Sequence, residues 1–264
     1  MRELSVSDRC RLKLANHTSF KRVPSRCSRG IVSVTFDDFP RSAWTVGGRI
    51  VQEQGAFATY FATGALCGQT FDGLEQYTVD DLQELFEQGH EVGSHFYEHI
   101  SVLNLSPAEL RDSLLKNDDF LRDRLANVSV TSLAYPYGDV SITAKRLGSR
   151  MFACCRGIGP GYNERSVDLA QLKAVCLEAR YADVIDWELM IQETKARHAW
   201  LILLTHDVDE NPSPYGCRPK DLENVLRLSR AAGLDIVPVK TALAKFVTGG
   251  RESEADFSAQ TADA

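Results

Sequence analysis

Two adjacent carboxylates, Asp37 and Asp38, close the β-branched run Ile31-Val32-Ser33-Val34-Thr35. Like charges side by side raise each other's pKa unless something positive stands between them. A divalent cation is the simplest such group, and the chain offers further ligands for one. In His95-Phe96-Tyr97-Glu98-His99 two histidines are four residues apart, a spacing that sets both imidazoles on one face of a helical turn. One Asp with two His makes a three-ligand, open metal site and leaves the second Asp free as a base. Hydrolysis is the chemistry such a set performs.

Two more segments carry chemical groups. Tyr135-Pro136-Tyr137-Gly138 follows a strand-like stretch, and its tight turn can aim the Tyr137 N–H at a developing oxyanion, worth ~3–4 kcal/mol. His206 ends the apolar run Trp200-Leu201-Ile202-Leu203-Leu204-Thr205, where an imidazole can protonate a leaving amine. Each has a plainer alternative: turn-forming aspartates, an ordinary strand-to-helix turn, a histidine that only caps a strand. The letters of 95–99 also spell H-x-x-E-H, a zinc-peptidase pattern with Glu98 as base. That chemistry needs a long helix, whereas Gly93-Ser94 precede the motif and 101–105 break the helical period.

The elements that must position these groups alternate from residue 31 onward. Strands are expected at 31–36, 56–62, 90–94, 128–134, 151–155, 174–178, 200–205 and 235–239. Helices are expected at 42–54, 78–87, 106–126, 140–149, 184–197, 219–232 and 240–246. Ser106-Pro107-Ala108-Glu109 is a capping box with proline at the first helical position. The unbroken apolar run at 200–205 suits a parallel strand buried on both faces. Such alternation implies a parallel sheet, either closed into a barrel or doubly wound. In a barrel, Asp37, His95, Tyr137 and His206 would share the rim where active sites sit.

The chain of 264 residues, 44% hydrophobic and 25% charged, is long enough for one such barrel. Its net charge of −6 argues against a nucleic-acid partner. No stretch approaches the ~18 apolar residues of a membrane span. Residues 1–29 form a basic N-terminal extension, read as solvated and packed beside the first strand. Arg11-Leu12-Lys13-Leu14 breaks any apolar core that a secretory signal would require. Seven cysteines, an odd number without CxxC spacing, suit free thiols in a reducing cytoplasm. Residues 247–264 read as a disordered acidic tail.

Taken in order, these segments resemble the NodB-homology polysaccharide deacetylases, carbohydrate esterase family 4. The family's TFDD motif stands as Thr35-Phe36-Asp37-Asp38, and its H-[ST]-x-x-H as His95 to His99. Its RxPYG stands as Ala134-Tyr135-Pro136-Tyr137-Gly138, and its LxHD as Leu204-Thr205-His206-Asp207. The resemblance implies a single-domain α/β fold, a distorted (β/α)7 barrel over 30–246, with a bound divalent metal, most often zinc. It implies Asp38, His95 and His99 as metal ligands, Asp37 as general base, His206 as general acid, and the Tyr137 N–H as oxyanion donor.

Two positions depart from the family. Phe96 replaces a Ser or Thr, removing a hydrogen bond beside the metal, and Ala134 replaces the arginine that holds the base. Some family branches draw that arginine from the fourth motif region, which makes Arg180, after the strand 174–178, the candidate substitute, with a plain surface arginine as the alternative. Asp183-Val184-Ile185-Asp186-Trp187 has the letters of a fourth motif but reads as a helix opening, with Asp183 as N-cap and Trp187 as core anchor. The expectation is a cytoplasmic, metal-dependent deacetylase acting on an N-acetylated carbohydrate, with loops 64–77 and 211–218, including Tyr215, flanking the site. Another amide hydrolase on this scaffold, such as a deformylase or cyclic-amide hydrolase, and a non-catalytic carbohydrate-binding barrel are the alternatives.

Overall fold

A computed structural model describes residues 5–249. The chain begins with α1 (Val6–His17), β1 (Arg22–Pro24), β2 (Ile31–Asp38), α2 (Arg49–Glu53) and β3 (Thr59–Ala62). A short hairpin, β4 (Thr70–Phe71) and β5 (Leu74–Glu75), leads to α3 (Val79–Glu87), β6 (Glu91–Ser94) and α4 (Pro107–Arg122). Next come β7 (Ser132–Ala134), α5 (Ile142–Met151), β8 (Cys154–Arg156), β9 (Ser166–Asp168) and β10 (Val175–Cys176). The last elements are α6 (Trp187–Ala196), β11 (Trp200–Thr205), α7 (Pro219–Ala231), β12 (Asp235–Ile236) and α8 (Val239–Thr248).

The parallel sheet runs β10-β11-β2-β3-β6-β7-β8, with β12 also pairing to the start of β2. One isolated parallel bridge, Arg156↔Leu172, joins β8 to the segment that enters β10. That thin seam turns seven strands into a distorted barrel, as the resemblance implied. Strand residues alternate between two apolar clusters. Val32, Val34 and Phe36 face the helices, whereas Phe61, Ala134, Cys154, Ile202 and Leu204 form a cluster with Leu243 and Phe246 of α8. Gly93 is required here, because a Cβ would meet the Phe61 ring at 2.5 Å.

Local signals held where they lie within a few residues. The boxes Thr78/Asp81 and Ser106/Glu109 cap α3 and α4, with each side chain bonded to the other's backbone. Asp186, rather than Asp183, caps α6, while Trp187 is buried as expected. The clearest correction concerns 95–99: no helix forms there, and Phe96 and His99 adopt left-handed backbone at φ 61° and 52°.

The N-terminal arm also departs from expectation. It docks on α5 and pairs β1 antiparallel to β9, not beside β2. Lys145, 1% exposed, holds it: its ammonium donates to the carbonyls of Ala15 and Thr18 and lies 3.0 Å from Asp168 Oδ2. Residues 250–264, most of the expected acidic tail, lie outside the described residues. Residues 247 and 248 instead complete α8, which Gly249 ends at φ 74°.

Candidate active site

Five strand ends converge on one rim. β2 delivers Asp37 and Asp38, β6 leads into His95, β7 into Tyr137, β8 ends on Arg156, and β11 leads into His206. Asp38, Phe39, Phe96, His99 and Tyr137 all take left-handed backbone near this rim. Left-handed non-glycine residues cost free energy and gather where a fold over-determines a functional geometry.

Asp38, His95 and His99 come together with ligand atoms all within 4.8 Å of one another, and all three are buried. Asp38 Oδ1 lies 2.9 Å from His99 Nε2 and 3.4 Å from His95 Nε2. A tetrahedral zinc with ~2.0–2.1 Å bonds spaces its ligand atoms ~3.3–3.4 Å apart, so the set is near coordinating geometry. His95 Nδ1 lies 2.8 Å from the Ala134 carbonyl and must donate to it, which leaves the Nε2 lone pair facing the carboxylates. Burial pushes the His95 imidazole down to about 4, the neutral form that coordination needs. Burial opposes ionisation of Asp38 as well, but His99, His95 and His206 together hold its carboxyl well below the usual range. Two acceptors facing each other across 3.4 Å are the arrangement a cation resolves. The residues fit a divalent metal.

Asp37, 3% exposed, is gripped by Arg156, whose Nη2 lies 2.5 Å from both carboxylate oxygens. Arg156 is itself 1% exposed and stacks 5.1 Å over the Phe61 ring. The expected partner, Arg180, does not fill this role. It bonds Glu178 and lies over the rings of Tyr181 and Tyr215, at 4.9 and 5.0 Å. Sequence reasoning missed Arg156 because it searched the region after 174–178. The overlooked signal was an arginine ending the strand-like 151–155 stretch, next to the strand that ends at Ala134. The peptidase alternative also falls away, since Glu98 binds Ser113 and Lys116 of α4 and the motif is not helical.

His206 Nε2 approaches Asp38 Oδ2 at 4.0 Å, while its Nδ1 meets the Tyr215 carbonyl at 3.2 Å. Tyr137 takes φ 61°, and its ring lies 4.6 Å from that of His99. A pocket of about 220 Å³ opens beside these groups, walled by Asp38, His206, Phe71, Leu74, Gln76 and Tyr215. A second, polar cavity of about 450 Å³ adjoins it, sharing Pro40 and Leu74 and reaching Arg41, Glu75 and Asp209. Both flanking loops expected from the sequence, 64–77 and 211–218, supply walls.

Residues 25–151 match a family described as polysaccharide deacetylase. A probable peptidoglycan-N-acetylglucosamine deacetylase of Arthroderma benhamiae is 30% identical over 119 residues, which make up 45% of this chain and 26% of that protein. The chain thus spans about a quarter of that relative's length. A family 4 acetyl xylan esterase from Clostridium thermocellum, in complex with a cobalt ion, matches with TM-score 0.55 and 19% identity over 81% of this chain and 89% of its own. A CE4 family pseudoenzyme from Bacillus anthracis matches with TM-score 0.58 and 15% identity, over 86% of this chain and 69% of its own. At these identities the structural likeness is one of fold.

Proposed function

The chain belongs to the NodB-homology polysaccharide deacetylases, and from that premise we propose that it hydrolyses an N-acetyl group on a carbohydrate, with zinc as its metal. The observation that carries this reading is the buried cluster in which Asp38, His95 and His99 adjoin the Asp37–Arg156 pair and His206. A metal on Asp38, His95 and His99 supplies Lewis-acid polarisation of the acetyl carbonyl. Asp37 takes a proton from the attacking water, whose oxygen bonds to the carbonyl carbon. The Tyr137 N–H, set by its left-handed backbone, donates to the oxyanion that develops. As the C–N bond breaks, His206 Nε2 passes a proton to the departing amine, its ring held through Nδ1 by the Tyr215 carbonyl. Acetate and a free amino sugar leave.

Arg156 compensates the charge of Asp37 from the site's buried side, keeping the base oriented beside its neighbouring carboxylate. The aromatic walls Phe71 and Tyr215 give a sugar ring apolar faces, and the polar cavity beyond Leu74 gives room for a neighbouring unit. Cytoplasmic placement is part of this reading, supported by seven cysteines that are all unbridged.

The test is acetate release from N-acetylated oligosaccharides by zinc- or cobalt-loaded protein beside Asp37→Asn. Release by the parent alone carries the proposal. Metal bound at one equivalent with no acetate would shift the reading to another amide hydrolase. Neither metal nor product would make the non-catalytic barrel the better account.

A further inference from the structure

Among the described residues, six buried side-chain N or O atoms meet no hydrogen-bond partner: Asp38 Oδ1, Gln76 Oε1, His99 Nδ1, Arg156 Nε, Asp168 Oδ2 and Thr205 Oγ1. Asp168 Oδ2 faces the Lys145 ammonium instead. Four of the others sit on the metal cluster, on the partner of the base, or at the end of β11 beside His206. Gln76 belongs to none of these motifs. It is nevertheless 1% exposed and walls the same 220 Å³ pocket as Asp38, His206 and Tyr215.

Its backbone is pinned to the turn that carries Asp38. Pro40 and Gln76 form an antiparallel bridge, Gln76 N donates to Gln69 O at 2.9 Å, and Tyr77 N donates to Phe39 O at 3.1 Å. The Phe39 and Tyr77 rings stack at 4.5 Å, locking this register. The side-chain amide nitrogen makes one long bond, 3.3 Å, to Leu74 O. The amide oxygen is left without a donor, although an apolar side chain of similar length would fill the space at no polar cost. A terminal amide also turns easily about its last torsion.

We propose that Gln76 is a substrate-binding residue, its amide oxygen accepting a hydrogen bond from the sugar unit that carries the scissile acetyl group. The donor is the acetamide N–H or a ring hydroxyl of that unit. An O-acetyl ester has no such N–H, so in the first case Gln76 also selects amide over ester. The inference rests on the deacetylase reading and adds the residue that recognises the substrate.

Gln76→Met keeps the length and removes the acceptor. Acetate release from the N-acetylglucosamine tetramer and from O-acetylated xylan is compared for parent and variant, zinc-loaded, alongside Tm. The expected result is a roughly tenfold or greater fall in kcat/KM on the tetramer, mostly through KM, with Tm unchanged or higher. A loss confined to the amide identifies the acetamide N–H as donor, and a loss on both substrates identifies a ring hydroxyl. Unchanged kcat/KM, or a lowered Tm without a KM effect, makes Gln76 a structural residue and overturns the proposal. Calorimetric binding of the tetramer to Asp37→Asn, with and without Gln76→Met, separates this from the broader reading. If the parent releases no acetate, the deacetylase reading fails while weaker binding by the double variant still supports Gln76. Equal binding, or none, overturns it.

Discussion

Arg156 stands directly across the β7–β8 pair from Ala134, and its guanidinium grips Asp37. Parallel strands lie ~4.8 Å apart, and residues in register share a face. An arginine moved one strand sideways therefore reaches the same interior carboxylate that an arginine at position 134 would serve.

Arg156→Ala should lower kcat by about 100-fold, since it disorganises a general base. It should also cost ~3–5 kcal/mol in a urea melt, because Asp37 is left as a buried, unpaired charge. Placing the arginine at its family position, Ala134→Arg with Arg156→Ala, should recover part of both. A double variant as inactive and unstable as the single one would refute the equivalence of the two positions.

Arg180→Ala should behave differently. Its guanidinium serves Glu178 and the ring of Tyr215, and an exposed cation–π contact of ~0.5–1 kcal/mol predicts only a two- to fivefold change in kcat/KM. Tyr215→Ala keeps the main-chain carbonyl that accepts from His206, so substrate preference and KM should move while metal content stays at that of the parent. Loss of metal in either variant would count against this division of roles.

His99→Ala removes one of three ligands and should drop metal content well below one equivalent by elemental analysis. Chelation of the parent should abolish acetate release, and zinc or cobalt should restore it. A chelated protein that keeps its full rate would contradict the assignment of Asp38, His95 and His99.

The arm lock on α5 gives a pH prediction. Burial works against ionisation of Asp168, but the N–H groups of Lys21 and Ala170 and the Lys145 ammonium outweigh it and depress its carboxyl. A depressed carboxyl contributes stability that is fully present above its unfolded pKa of ~3.9 and lost as pH falls through the folded value. Hydrogen exchange in 6–24 should therefore quicken below about pH 4 before the barrel strands respond. Lys145→Met should bring the same loosening to neutral pH and cost ~3–5 kcal/mol. Arm protection that is independent of both would show that the lock carries no stability.

Much of this protein was decided by short-range pattern. Capping boxes at Thr78 and Ser106, the apolar run 200–205 and the alternation of strands and helices depend on neighbours a few residues away. The sequence pattern therefore determined a parallel α/β sheet, while its closure into a barrel with one rim rests on the long-range Arg156↔Leu172 seam. Asp37, Asp38, His95, His99, Tyr137 and His206 followed, because each sits at or just after the end of a strand. Tertiary structure decided what depends on long-range register. Arg156 meets Asp37 across 119 residues, and only the β7–β8 pairing shows that it stands beside Ala134. The family pattern, which places a substitute arginine in the fourth motif region, pointed to Arg180 instead. The histidine spacing brings both imidazoles into one cluster, but not through a helix: left-handed turns at Phe96 and His99, with Glu98 drawn to α4, bring them together. The arm's attachment was equally hidden, since Lys145 satisfies carbonyls some 130 residues away and no local pattern encodes that pairing.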